Sequence, residues 1–176
     1  MRIMLVDDES NVLSALERLL RRHLPNAPVV ETFTSPAAAL ARSWEVPFEV
    51  VVSDYRMPEM DGVEFLKQFR DIQPQALRLI LSGITDFDAL VTAVNEVGLY
   101  RYLIKPWDDT EIVTILQAAL AEQARQAEAL RLADERREEL GKLTPEERER
   151  RRLEAEEPGI TRVNWGPDGA IHLDED

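Results

Sequence analysis

Four charged residues at three separated points of this chain are of the right types for phosphorus chemistry: Asp7-Asp8, Asp54 and Lys105. Each point directly follows an apolar run, namely Ile3-Met4-Leu5-Val6, Val50-Val51-Val52-Ser53 and Tyr102-Leu103-Ile104. Apolar runs of this length, separated by helix-like segments, read as buried parallel strands. In an open parallel sheet, ligands bind beyond the carboxyl ends of the strands, near the point where strand order reverses. Three carboxylates and one ammonium gathered there would suit a divalent cation and a phosphoryl group.

The elements that must position these residues alternate along the first 120 positions. Strands are expected at about 2–6, 28–33, 48–53, 78–82 and 101–104. Ser10 is expected to cap the first helix, whose apolar stripe is Val12, Leu13, Leu16, Leu19 and Leu20. Ser35-Pro36 reads as a cap followed by a first-turn proline. Asp61-Gly62 leads into a helix carrying Val63, Phe65, Leu66 and Phe69, and Asp86 is placed to cap a fourth helix. Asp108 and Glu111 have the capping-box spacing for a fifth. Five such units with short connections imply right-handed crossovers and helices on both faces of an α/β sheet. No Gly-rich phosphate loop follows any strand, which argues against a nucleotide-binding fold.

The fifth helix runs on. From Asp108 to about Leu140 there is neither proline nor glycine, and Ala, Leu, Glu, Gln and Arg dominate. Ile112, Leu116, Ala119, Ala127, Leu130 and Ala133 recur near heptad spacing, interrupted at Gln123 and Arg137. That spacing fits a dimer seam and fits equally an amphipathic helix lying on its own domain. Gly141 suits the helix end. Thr144-Pro145-Glu146-Glu147 then reads as a cap, first-turn proline and capping-box glutamate, opening a short charged helix to about Glu156. Pro158-Gly159 breaks it, and residues 160–173 read as a β-hairpin turning at Pro167-Asp168-Gly169. The expected organisation is a domain over 1–122, a helical extension over 123–157 and a hairpin tail over 158–176.

Composition narrows the field. The chain of 176 residues has no cysteine, so disulfides, thiolate zinc sites and cysteine nucleophiles are excluded. His23 and His172 are not at ligand spacing. Net charge is −13, and both halves are acidic, which argues against nucleic-acid binding. Arg148, Arg150, Arg151 and Arg152 alternate with glutamates and read as a solvated helix face. No apolar stretch reaches the roughly 18 residues of a membrane helix. Residues 1–7 enter a strand directly rather than forming a signal peptide, so a soluble cytoplasmic protein is expected.

Residues 1–120 resemble the receiver domain of bacterial two-component response regulators (CheY-like). The segments that carry the resemblance are Ile3 to Glu9, Val52 to Gly62 (Val-Ser-Asp-Tyr-Arg-Met-Pro-Glu-Met-Asp-Gly), Leu81-Ser82-Gly83 and Tyr100 to Trp107. It implies a flavodoxin-like, doubly wound sheet of strand order 2-1-3-4-5. It also implies that Asp54 accepts a phosphoryl group from a histidine kinase or phosphotransfer protein. Mg²⁺ would be held by Asp7, Asp8, Asp54 and the backbone carbonyl of Arg56. Lys105 would pair with a phosphoryl oxygen, Ser82 and Tyr102 would form the switch, and Lys105-Pro106 would be cis. Arg56 and Ile84 stand where the family tunes phosphoryl lifetime.

Two other readings are weaker. A phosphatase using an aspartyl phosphate would need a second acid two residues after a nucleophile on the first strand, whereas Asp7 is followed by Asp8-Glu9. An adaptor that kept the fold without the switch would have no need of Asp54, Ser82, Tyr102 and Lys105 together. Nothing after residue 120 resembles a DNA-binding, ATPase or His-Asp phosphodiesterase output. The expected exit for a signal is contact with a downstream protein or a homodimer formed through the extended helix, without catalysis.

Overall fold

The computed structural model describes residues 1–24, 28–83, 97–139 and 144–156. Strands β1 (Arg2–Val6), β2 (Val29–Phe33), β3 (Val50–Asp54), β4 (Leu77–Gly83) and β5 (Arg101–Lys105) each lie within two residues of expectation. They pair in parallel in the order β2-β1-β3-β4-β5, so the chain reverses direction across the sheet after β2. The helices are α1 (Ser10–His23), α2 (Pro36–Glu45), α3 (Gly62–Ile72), α4 (Asp109–Glu139) and α5 (Pro145–Glu156). The segment expected to hold a helix capped by Asp86, with Ile84 in it, lies outside the described residues. Gly141 and the expected hairpin lie outside them too.

Alternation along the strands explains the two-faced core, because successive side chains point to opposite sides of a sheet. Ile3, Leu5, Val50, Val52, Leu79 and Leu81 pack with Leu13, Leu16 and Leu20 of α1 and with Ile112, Leu116 and Ala119 of α4. Met4, Val6, Val51 and Ile80 pack on the other face with Ala39 of α2 and with Phe65, Leu66 and Phe69 of α3. β3 is buried at all five positions, as a central strand covered on both faces must be.

The caps follow local chemistry, with one correction. Ser35 accepts a hydrogen bond from Ala38 N, and Asp61 accepts from Val63 N and Glu64 N. Asp108 accepts from Glu111 N at 3.0 Å. Thr144 and Glu147 form the expected reciprocal box, with Thr144 N donating to Glu147 Oε2 at 2.8 Å and Glu147 N to Thr144 Oγ1 at 3.2 Å. Ser10, however, does not cap α1. It is the first helical residue, the cap position falls on Glu9, and no side chain caps there. The Asp7 carboxylate bonds to the Glu9 N–H instead, which ties the loop after β1 to the helix start.

Contacts divide the chain into two compact units, Met1–Arg125 and Gln126–Asp176. In the first, α4 is buried at Ile112, Leu116, Ala119, Leu120 and Gln123. In the second, Leu130 and Leu132 are exposed at 57% and 52%, and Asp134 pairs with Arg151 of α5 at 2.6 Å. The first half of the heptad-like spacing thus serves the domain's own core, and Ala127, Leu130 and Ala133 are exposed. Among the described residues no helix is long and apolar enough to cross a membrane.

Candidate functional site

Asp54 and Lys105 are the last residues of β3 and β5, and Asp7 follows β1 directly. These are the carboxyl ends of three strands, at the place where the order of the sheet reverses. Lys105 Nζ lies 2.7 Å from Asp7 Oδ2 and 2.5 Å from Asp54 Oδ1, bridging residues from opposite ends of the domain sequence. Asp7 is 1% exposed and Asp54 6%, so two carboxylates share one ammonium largely out of water. The peptide bond after Lys105, to Pro106, is cis, as expected from the resemblance.

The two signs respond differently to this burial. Desolvation pushes the Asp54 carboxyl above its ordinary range, outweighing the hydrogen bond and charge of Lys105, and Asp7 adds to the push. For Lys105, desolvation acts downward, but its bonds to Asp54 and Asp7 outweigh it and hold the ammonium above the ordinary lysine range. The asymmetry has a simple origin: the cation has two anionic partners, whereas each anion has half a cation. A site of this kind favours arrival of more positive charge or of groups that divide the negative charge.

The loop after β3 is fastened around Asp54. Arg56 N donates to Asp54 Oδ2 at 2.9 Å, and Tyr55 N donates to Leu81 O at 2.8 Å. Met60 N closes a tight turn onto Pro58 O at 2.8 Å, and Glu59 between them has φ of 70°. A non-glycine residue there is strained, which marks a loop held by its surroundings. Gly62 N donates to Tyr55 O at 2.8 Å, and a Cβ on Gly62 would stand 2.1 Å from Asp54 O. Only glycine lets α3 begin so close to the backbone of Asp54.

Of the residues expected in the site, Asp7, Asp54 and Lys105 are drawn into direct contact. Ser82, 2% exposed, lies one residue before the end of β4, and its hydroxyl donates to Gly83 O at 3.3 Å. Tyr102 is half-buried and packs against the core on the α2–α3 face. Asp8 is exposed. Hard oxygen donors at Asp7, Asp54 and the Arg56 backbone suit Mg²⁺, which takes one or two carboxylates and keeps waters and phosphate oxygens for the rest. Among the described residues no three Asp, Glu, His or Cys side chains surround one cation position, the counter-charge here coming from Lys105. Gly62 is a site residue beyond those expected, and the sign of its close approach in the sequence is a glycine directly after a capping Asp.

Known proteins place this arrangement. Hydrogenase transcriptional regulatory protein HoxA of Cupriavidus necator is 35% identical over 130 residues, covering 74% of this chain and 26% of that protein. DNA-binding transcriptional regulator NtrC of Salmonella typhimurium is 35% identical over 124 residues, covering 70% of this chain and 26% of that one. The chain therefore spans about a quarter of the length of these curated relatives. An uncharacterized protein from Neptuniibacter caesariensis shares the fold at a TM-score of 0.69 with 38% identity, over 74% of this chain and 94% of that one. The signal receiver domain of an HD domain-containing protein from Pseudomonas fluorescens Pf-5 does so at 0.65 with 32% identity, over 70% and 97%. A family model described as the response regulator receiver domain matches residues 3–117, the stretch that carries Asp7, Asp54 and Lys105, and the chain belongs to that family.

Proposed function

We propose that this receiver accepts a phosphoryl group on Asp54 from a histidine kinase or phosphotransfer protein, in the cytoplasm and with Mg²⁺. The observation that carries the reading is the Lys105 ammonium bridging the buried carboxylates of Asp7 and Asp54. A carboxylate is a weak nucleophile toward phosphorus, so positioning and charge neutralisation must do most of the catalysis. Arg56 N and Lys105 hold the two Asp54 oxygens in fixed directions, leaving a defined line of approach. A carboxylate oxygen of Asp54 forms the new bond to phosphorus as the bond to the donor's nitrogen breaks. Lys105, a compact point charge, pairs with an oxygen of the group that arrives.

Receiver domains commonly bind Mg²⁺ at this site. In this chain Asp7, Asp8, Asp54 and the Arg56 carbonyl would hold the ion. The cation would offset carboxylate repulsion and stabilise charge on the group in transfer. Ser82 would then move toward the phosphoryl group and Tyr102 would turn inward, a two-state switch biased by one charge event. The output would leave by protein contact from the receiver over 1–122, either to a downstream partner or to a second copy through the extension over 123–157.

Incubation with a small-molecule phosphodonor and Mg²⁺, followed by intact-mass measurement, tests the first step. Wild type should gain one alkali-labile phosphoryl group and Asp54→Asn none. Equal labelling of both, or none in the wild type, overturns the assignment. Light scattering with and without beryllofluoride tests the output. A mass change in the wild type alone supports self-association, and an unchanged mass directs the search to another protein.

A further inference from the structure

The turn between α3 and β4 has three successive carbonyls, and each is taken by a side chain. Arg78 Nη1 donates to Pro74 O at 3.1 Å and to Ala76 O at 2.8 Å. Gln123 Nε2 of α4 donates to Gln75 O, between them, at 2.5 Å. The same guanidinium reaches the turn that feeds β5, with Nε on Val97 O at 2.9 Å and Nη2 on Gly98 O at 3.4 Å. The Arg78 carbonyl closes that turn from the other side by accepting from Tyr100 N at 2.8 Å. Gly98 has φ of +64°, so the turn takes a shape that other residues rarely adopt.

Arg78 is a costly residue to place there. It is half-buried, and among the described residues its partners are carbonyls, not carboxylates. Burial, with a smaller effect of Arg70, moves its guanidinium below the ordinary arginine range. A fork of rigid donors is what four carbonyls on two turns require, and lysine does not supply it. Gln123 is equally placed for a purpose: it is the last buried residue of α4 among those described.

We propose that Arg78 and Gln123 close a clamp on residues 74–76 that sets where α4 leaves the receiver unit and ties that exit to the turn feeding β5. The clamp lies at the amino end of β4, roughly 13 Å along the strand from Ser82 at about 3.3 Å per residue. It therefore stands whichever residue accepts a phosphoryl group. Arg78 and Gln123 act as positioning residues: a shift of β4 carried by Arg78 to Pro74 O and Ala76 O moves the Gln75 carbonyl between them, which holds the helix.

Hydrogen–deuterium exchange on the full chain, with no phosphodonor, tests the clamp, with amides of β1 and β3 as internal reference. Gln123→Leu keeps the apolar bulk and removes the donor. Amides at 117–125 should exchange about tenfold faster, and amides at 97–100 should accelerate by a smaller factor. Arg78→Met should show the reverse order, acting on 117–125 without touching the helix. The double variant should be less than additive, as expected for groups bonded to neighbouring carbonyls of one three-residue turn. If each substitution accelerates only its own contact and the effects add, the two bonds are unrelated and the proposal fails. Should Arg78→Met not fold, Arg78→Lys, which keeps the charge and loses the fork, is read against the same two outcomes.

Discussion

α4 passes through two environments, and its composition changes between them. Up to Arg125 it buries Ile112, Leu116, Ala119, Leu120 and Gln123, and its geometry is imposed by the sheet beneath it. From Gln126 to Arg137 no residue is buried, the β-branched residues Thr110, Ile112, Val113, Thr114 and Ile115 of the first stretch have no counterpart, and charged residues are denser. That second stretch is helical by propensity and by pairs such as Arg131 with Glu128 and Glu135. The comparison teaches that helix content and packing are separate properties of one element. Good helix formers run through both stretches and announce the first, while the absence of Ile and Val beyond Ile115 in this helix marks the change in the second.

The strongest way to break the comparison is to cut equal side chains on the two sides. Leu116→Ala should destabilise the receiver by about 2–5 kcal/mol in urea melts, since the site is fully buried. Comparable loss from Leu130→Ala would mean that the second stretch is packed after all. Gly62→Ala comes next, at about 1–3 kcal/mol, because a methyl group would have to displace the Asp54 backbone. The same variant should also accept phosphoryl groups more slowly than wild type in the mass assay.

Asp54→Asn sharpens the contrast from the side of charge. The carboxyl of Asp54 is raised by burial, so its contribution to stability is fully present below the ordinary aspartate value and is lost as pH rises through the raised one. Above that window the ionised group is a cost, which asparagine does not carry. The variant should therefore melt a few degrees above wild type at pH 8, with the gap closing as pH falls toward about 4. A gap that widens on acidification would reverse the assigned sign. Lys105 sets the opposite limit, since its raised value keeps its contribution present until pH rises beyond the ordinary lysine range. Smallest of all, Leu130→Ala and Arg151→Ala should each shift stability by less than about 0.5 kcal/mol, as exposed positions and surface ion pairs do.

Much of the fold was legible because Ile3 to Val6 of β1, Val50 to Val52 of β3 and Leu79 to Leu81 of β4 are buried on both faces and so appear as apolar runs. Asp7 and Asp54 were legible for a related reason, each being the charged residue at which such a run stops, and Lys105 ends the short apolar run Tyr102-Leu103-Ile104 of the edge strand β5. What escaped depends on contacts distant in sequence. Ser10 looked like a cap, but the Asp7 side chain, held by Lys105 from 98 positions away, takes the Glu9 N–H. Gln123 looked like an interruption of an apolar repeat. It is a buried donor whose acceptor, Gln75 O, lies 48 residues back. Arg78 is the first residue of the strand expected at 78–82, and its role resides in carbonyls that no residue type announces.

The pairs along the second stretch of α4 and in α5 make the extension lean on exposed charge more than the receiver does, whose own surface pairs, such as Arg42 with Glu31 and Glu45, accompany a buried core. Attraction between exposed charges fades as ionic strength grows, with a screening length of about 10 Å at 0.1 M salt and about 3 Å at 1 M. A structure supported by Arg131 with Glu128 and Glu135, by Arg151 with Asp134 and by Arg152 with Glu149 should loosen as salt is added, while the buried sheet stays as it is. The chain thus joins a domain held mainly by its buried core to helices whose support varies with the surrounding electrolyte.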